Sequence, residues 1–117
     1  MKTILVVDDE EHILNLVELS LTPDFQVLKA KNCKETFENI NKQKPDMVLL
    51  DLMLPNVSGF EICKKLKKMD VPVWILSAKG LKDDIQKGMK SGADDYITKP
   101  FDPEELLSKI KSYFGGD

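Results

Sequence analysis

Short apolar runs recur along the chain at regular intervals: Ile4-Leu5-Val6-Val7, Val27-Leu28, Met47-Val48-Leu49-Leu50, Val73-Trp74-Ile75-Leu76 and Tyr96-Ile97. Each run is predicted to be a short strand. The segments between them carry apolar residues at helical spacing. Ile13, Leu16, Val17 and Leu21, for example, trace one stripe on an otherwise polar face. The predicted order is therefore β-α repeated five times. Helix ends are signalled as well: Asn32 with Glu35 forms a capping box, and Asp102, Pro103 and Glu105 supply an N-cap, a proline at N1 and a glutamate at N3. The last helix is predicted to run to about Phe114, before Gly115-Gly116.

Strands that are apolar almost throughout suit a parallel sheet covered on both faces, and right-handed βαβ crossovers then give a three-layer, doubly wound α/β domain. The periodicity leaves strand order open. A chain of 117 residues, 42% of them hydrophobic, fits one domain with a real core. A single domain over residues 1–117, with no effector domain within it, is expected. The closing Gly115-Gly116-Asp117 suits a frayed end or the start of a linker. There is no basic n-region followed by an apolar stretch and no run of eighteen apolar residues, so no membrane association and a cytoplasmic location are expected.

Charge and cysteine content narrow the function classes. All seventeen basic residues are lysine, which leaves no arginine for bidentate reading of guanine, and the net charge is −3. Direct nucleic-acid binding is not expected. Cys33 and Cys63 lie in predicted helices without CxxC spacing, so two reduced, partly buried thiols are expected rather than a disulfide framework or a zinc site.

In an open parallel sheet the ligand site lies beyond the carboxyl ends of the strands, where the winding reverses. The residues at those ends are Asp8 and Asp9 after the first strand, Asp51 after the third, Ser77 after the fourth and Lys99 after the fifth. Two like charges about 4 Å apart repel by about 4 kcal/mol at an effective dielectric near 20, so a packed trio of aspartates calls for a neutralising cation. All-oxygen donors suit octahedral magnesium, whereas zinc would want His or Cys.

Taken singly, Asp8, Asp9 and Ser77 have a bland reading as helix caps or solvated groups, and Lys99 as an exposed lysine. Asp51 does not, because it ends a strand as apolar as Met47 to Leu50, where an unpaired carboxylate is expensive. Pro100 restricts Lys99 to extended backbone and is compatible with a cis bond that aims the side chain. His12 is expected to be solvated, and Trp74 and Met89 are expected to lie in the core.

Four blocks carry a family pattern from Ile4 to about Phe114: Val7-Asp8-Asp9-Glu10, Asp51-Leu52-Met53-Leu54-Pro55 with Gly59, Ser77-Ala78-Lys79, and Gly92-Ala93-Asp94-Asp95-Tyr96-Ile97-Thr98-Lys99-Pro100-Phe101. On these residues the chain resembles the receiver domains of two-component response regulators. The resemblance implies a five-stranded sheet of flavodoxin-like order 2-1-3-4-5. It implies that Asp51 accepts the phosphoryl group, and that Asp9, Asp51 and the carbonyl of Met53 ligate Mg2+, with Asp8 acting through a metal-bound water. It further implies that Lys99 pairs with phosphoryl oxygens, that Ser77 and the neighbouring Ala78 help bind the phosphoryl group, and that Tyr96 turns inward once Ser77 has moved.

By the same resemblance the chain is a phosphoacceptor rather than an enzyme. Its partners would be a sensor histidine kinase or phosphotransfer protein and a downstream effector, and it admits a phosphorylation-dependent homodimer. The last helix carries Lys109 and Lys111 but no arginine, unlike the arginine-rich dimer face of winged-helix regulators. Ser77 stands where many members have Thr, and Asn56-Val57-Ser58 lacks the common Met-Asp pair.

Three rival classes fit less well. An aspartyl phosphohydrolase would want a second Asp two residues after the nucleophile, and position 53 is Met. A flavin- or nucleotide-binding domain would want a phosphate loop after the first strand, where this chain has acids. A receiver-like binding module that is never phosphorylated has no need for the intact set of Asp8, Asp9, Asp51, Ser77 and Lys99.

Overall fold

A computed structural model describes residues 1–115. The five predicted β-α pairs form in order: β1 (Thr3–Val7), α1 (Glu11–Leu21), β2 (Gln26–Ala30), α2 (Cys33–Lys42), β3 (Met47–Leu50), α3 (Gly59–Lys68), β4 (Val73–Ser77), α4 (Lys82–Lys90), β5 (Asp95–Thr98) and α5 (Pro103–Tyr113). All neighbouring strands are parallel, and the sheet order is β2-β1-β3-β4-β5. The closing Gly116-Asp117 lies outside the described residues.

The three central strands are buried at every position, which is why their sequence reads as unbroken apolar runs. Side chains alternate across the sheet. Leu5, Val7, Val48, Leu50, Val73 and Ile75 pack with Ile40 of α2 and Ile62 and Leu66 of α3. Ile4, Val6, Met47, Leu49, Trp74 and Leu76 pack on the other face with Leu14, Val17 and Leu21 of α1 and Leu106 and Ile110 of α5. Each such residue removed from water contributes about 1.5–3 kcal/mol, and sandwiching the sheet fixes its register.

Both predicted caps form. The Asn32 side chain accepts from the Glu35 amide at 2.8 Å. Glu35 reciprocates one residue further out than a capping box requires, accepting from the Lys31 amide at 2.9 Å. Asp102 accepts from the Glu104 amide at 2.9 Å. Cys33 and Cys63 are free; Cys63 is fully buried, and burial pushes its thiol up to about 11.

Two expectations are corrected. On α1 the buried line is Leu14, Val17 and Leu21, while Leu16 is 38% exposed. The helix is turned so that Leu14, rather than Leu16, meets the sheet. Met89 is 43% exposed, and the one buried residue of α4 is its neighbour Gly88. One residue is about 100° of helical turn, so seating Gly88 on the sheet directs Met89 outward. Trp74 is buried as expected, with Nε1 unpartnered and the indole set edge-on to Tyr113, ring centroids 5.5 Å apart. His12 is exposed.

Candidate functional site

The carboxyl edge of the sheet gathers the predicted residues. Asp8 follows β1, and its amide donates to the Ala30 carbonyl at 3.0 Å; Asp51 follows β3, and its amide donates to the Val7 carbonyl at 3.0 Å. The strand ladder thus extends one residue into the site and holds both aspartates by their backbones. Both are buried, Asp8 to 1% exposure and Asp51 to 4%, while Asp9 is exposed at the rim. One carboxylate oxygen from each of Asp8, Asp9 and Asp51 lies within 4.8 Å of the others.

Lys99 enters from the end of β5, where its amide donates to the Ser77 carbonyl at 2.8 Å, and the Lys99-Pro100 bond is cis. Its ammonium lies 2.5 Å from Asp8 Oδ2 and 3.3 Å from Asp51 Oδ2, with the side chain 11% exposed. The remaining oxygens are held by amides: Asp8 Oδ1 accepts from Glu10 at 2.9 Å and Asp51 Oδ1 from Met53 at 3.0 Å. These bonds fix the carboxylates before any ligand arrives.

Burial pushes the Asp8 carboxyl above its usual range, with the charge of Asp51 adding to the effect and the hydrogen bonds from Lys99 and Glu10 opposing it. For Lys99, burial alone would lower the pKa. The hydrogen bond to Asp8 and the charges of Asp51 and Asp8 more than offset this, and the ammonium is held above its ordinary value. One ammonium against three carboxylates leaves the site negative. Its donors are all hard oxygens, and the cluster is a metal-binding site of the kind found in Mg2+-dependent receivers.

Ser77 is buried at the end of β4, and its hydroxyl accepts from the Lys79 amide at 3.3 Å. The Tyr96 hydroxyl donates to the Lys79 carbonyl, so Ser77 and Tyr96 meet at one residue of the β4–α4 loop. Burial raises the pKa of that hydroxyl, as does the charge of Asp84, while the nearby Ser77 hydroxyl pulls the other way. Ala78 and Lys79 are exposed beside this pair, and Met53 in the loop after Asp51 is 52% exposed.

The loop from Asp51 to Ser58 is pinned by buried Leu52 and Leu54 and by Gly59. A Cβ at Gly59 would fall 2.5 Å from Leu52 Cα, so the first turn of α3 lies directly on the loop backbone. The sequence pattern marked Gly59 but not this contact. Gly88 was missed altogether, although a glycine inside a helical pattern usually has a packing reason.

Three strand-end carboxylates, a half-buried lysine bridging two of them and a buried hydroxyl define an acidic, cation-binding α/β domain suited to taking up a phosphoryl group. The chain belongs to the response regulator receiver domain family, whose description matches residues 4–111. It is 43% identical over 116 residues to the phosphate regulon transcriptional regulatory protein PhoB of Pseudomonas aeruginosa, covering 95% of this chain and 51% of that protein. It is 41% identical over 114 residues to the alkaline phosphatase synthesis transcriptional regulatory protein PhoP of Bacillus subtilis, covering 95% of this chain and 48% of that one.

The chain thus spans about half the length of these curated relatives. The BeF3-activated receiver domain of DrrB from Thermotoga maritima superposes with a TM-score of 0.89 at 38% identity, covering 98% of both chains. Membership makes the chain a phosphoacceptor domain rather than a conventional enzyme.

Proposed function

We propose that Asp51 is the phosphoacceptor of a two-component receiver occupying residues 1–117, and that its modification rearranges the surface from Ser77 to Phe101 for an effector. The observation that carries this reading is the meeting of Asp8, Asp9 and Asp51 within 4.8 Å, with Lys99 bridging the two buried members. A phosphohistidine on a sensor histidine kinase or phosphotransfer protein is the donor. An Asp51 carboxylate oxygen attacks phosphorus, the P–N bond breaks, and the imidazole leaves with its electron pair, taking up a proton.

This chemistry needs positioning and charge neutralisation more than covalent help. Asp51 is positioned by its backbone bond to Val7 and its side-chain bond to the Met53 amide. Asp9, Asp51 and the Met53 carbonyl would hold Mg2+, with Asp8 one water further away, and the cation would supply charge neutralisation of the transferring group. Lys99 would move from the carboxylate oxygens onto a phosphoryl oxygen, a short step for an ammonium already 3.3 Å from Asp51. The Ser77 hydroxyl and the Ala78 amide would donate to the other oxygens. New bonds made only after phosphorylation favour one arrangement of the Ala78–Phe101 region, and that difference is the signal.

The free thiols of Cys33 and Cys63 suit the cytoplasm, where such kinases present phosphohistidine. Among the described residues no helix is long and apolar enough to cross a membrane.

The test is intact mass after incubation with acetyl phosphate and magnesium. The parent is expected to gain one phosphoryl group and Asp51→Asn none; a variant that still gains it overturns the assignment of Asp51.

A further inference from the structure

Within helix α4 only Gly88 is buried, with Ile85 half-buried three residues earlier. A glycine inside a helix costs about 1 kcal/mol relative to alanine, so its presence there calls for a steric reason. The reason is visible in the packing. A Cβ at Gly88 would lie 3.0 Å from both Cδ2 and Cε2 of the Tyr96 ring and 2.7 Å from Cδ1 of Ile75. The face of α4 is thus flat where the ring rests on it. The Ile75 methyl is the end of a flexible side chain and can give way, whereas the ring is rigid and meets the missing Cβ with two atoms.

The far end of the same ring is held as well. The Tyr96 hydroxyl donates to the Lys79 carbonyl, in the loop that leads from Ser77 into α4. A ring flush against Gly88 and anchored at Lys79 links α4, β5 and the segment next to the phosphoryl site.

We propose that Gly88 is a positioning residue, the socket that seats the Tyr96 ring inward and so biases the resting chain toward the arrangement that phosphorylation favours. The socket follows from the packing alone; its regulatory meaning rests on the reading of Ser77 and Tyr96 as the switch given above. A side chain at position 88 occupies the space of the ring, turns it toward solvent and frees the Lys79 carbonyl. Phosphorylation must then work against that displacement.

The test uses the full chain labelled with fluorotyrosine, whose two tyrosines, Tyr96 and Tyr113, give two 19F resonances assigned by Tyr113→Phe. In resting protein, Gly88→Ala is expected to shift the Tyr96 resonance toward the solvent-exposed value and to leave that of Tyr113 in place. Thermal melts supply the second readout. Gly88→Ala is expected to lower Tm when Tyr96 is present and to raise it in a Tyr96→Ala background, where only the gain in helix propensity remains.

An unmoved Tyr96 resonance in resting Gly88→Ala overturns the socket. A Tm that falls in both backgrounds assigns the clash to Ile75 and overturns it too. Acetyl phosphate with magnesium is added last, to Gly88→Ala: a displaced Tyr96 resonance that does not return toward its parent position sinks the switch reading and leaves the socket standing.

Discussion

Lys99 sits closer to Asp8 than to the proposed acceptor Asp51, yet burial outweighs that ammonium in the titration of Asp8. Asp8 has a folded pKa raised by burial, so the fold prefers its neutral form. The native state therefore binds more protons than the unfolded chain above the ordinary carboxylate range. The stability tied to neutral Asp8 is fully present below about pH 3.9 and is lost as pH rises through the raised folded value. Lys99 is also raised, so its contribution persists through neutral pH and is lost only as pH climbs past the ordinary lysine value and through the folded one. In EDTA, the Tm of Asp8→Asn minus that of the parent should become more positive between pH 4 and pH 7, because the variant carries no charge that the fold must keep buried. A difference that is flat or grows more negative over that range would count against burial as the dominant influence on Asp8. The cost of leaving Lys99 with one partner fewer offsets this difference without changing its pH trend, since Lys99 stays charged throughout.

At the scale of elements, the β3–α3 connection does more than join two segments, because the first turn of α3 is pressed against the backbone that follows Asp51. Alanine at Gly59 would improve helix propensity by up to about 1 kcal/mol. It would also drive a Cβ to 2.5 Å from Leu52 Cα, with Leu52 O and C at 3.0 and 3.1 Å, and backbone cannot swing aside as a side-chain tip can. Overpacking of that kind costs about 1–3 kcal/mol, so Gly59→Ala should lower Tm despite the propensity gain. The displaced loop carries Met53, so a magnesium titration should also show weaker binding than in the parent. Unchanged affinity together with an unchanged melt would mean that the loop yields freely and is not held by α3.

For the molecule as a whole, the acidic edge is a local fault built into an otherwise apolar two-sided core, and relieving it should stabilise the entire fold. Magnesium at ten times its dissociation constant should add about 1.4 kcal/mol by linkage, or roughly 4–8 °C in Tm for a domain of this size. Asp9→Asn removes a repelling charge and a proposed ligand together. It should raise Tm in EDTA and abolish most of the magnesium response. Paired melts of parent and variant decide the matter: a variant less stable in EDTA that still responds fully to magnesium makes exposed Asp9 a helix cap and not a ligand.

The order of elements and the residues that end each strand were legible in the sequence because both rest on local rules. A fully buried strand must be apolar along its whole length, and the first polar residue after such a run marks the carboxyl edge, which is how Asp8, Asp51 and Ser77 are found from spacing alone, while Lys99 follows one residue beyond Thr98 at the end of the less buried β5. The sheet order and the individual roles came from resemblance to a family, not from periodicity. Only the tertiary structure decided which groups meet. Lys99 lies 91 residues from Asp8 along the chain, and nothing local dictates that its ammonium should lie nearer to Asp8 than to Asp51. The same limit explains the helix faces. Helical spacing identifies an amphipathic segment, but its rotation depends on what the sheet presents, so Leu14 rather than Leu16 is buried on α1 and Gly88 rather than Met89 on α4. A glycine adds nothing to a hydrophobic pattern; its importance at positions 59 and 88 comes from the atoms that would collide with a side chain, and those belong to other parts of the fold.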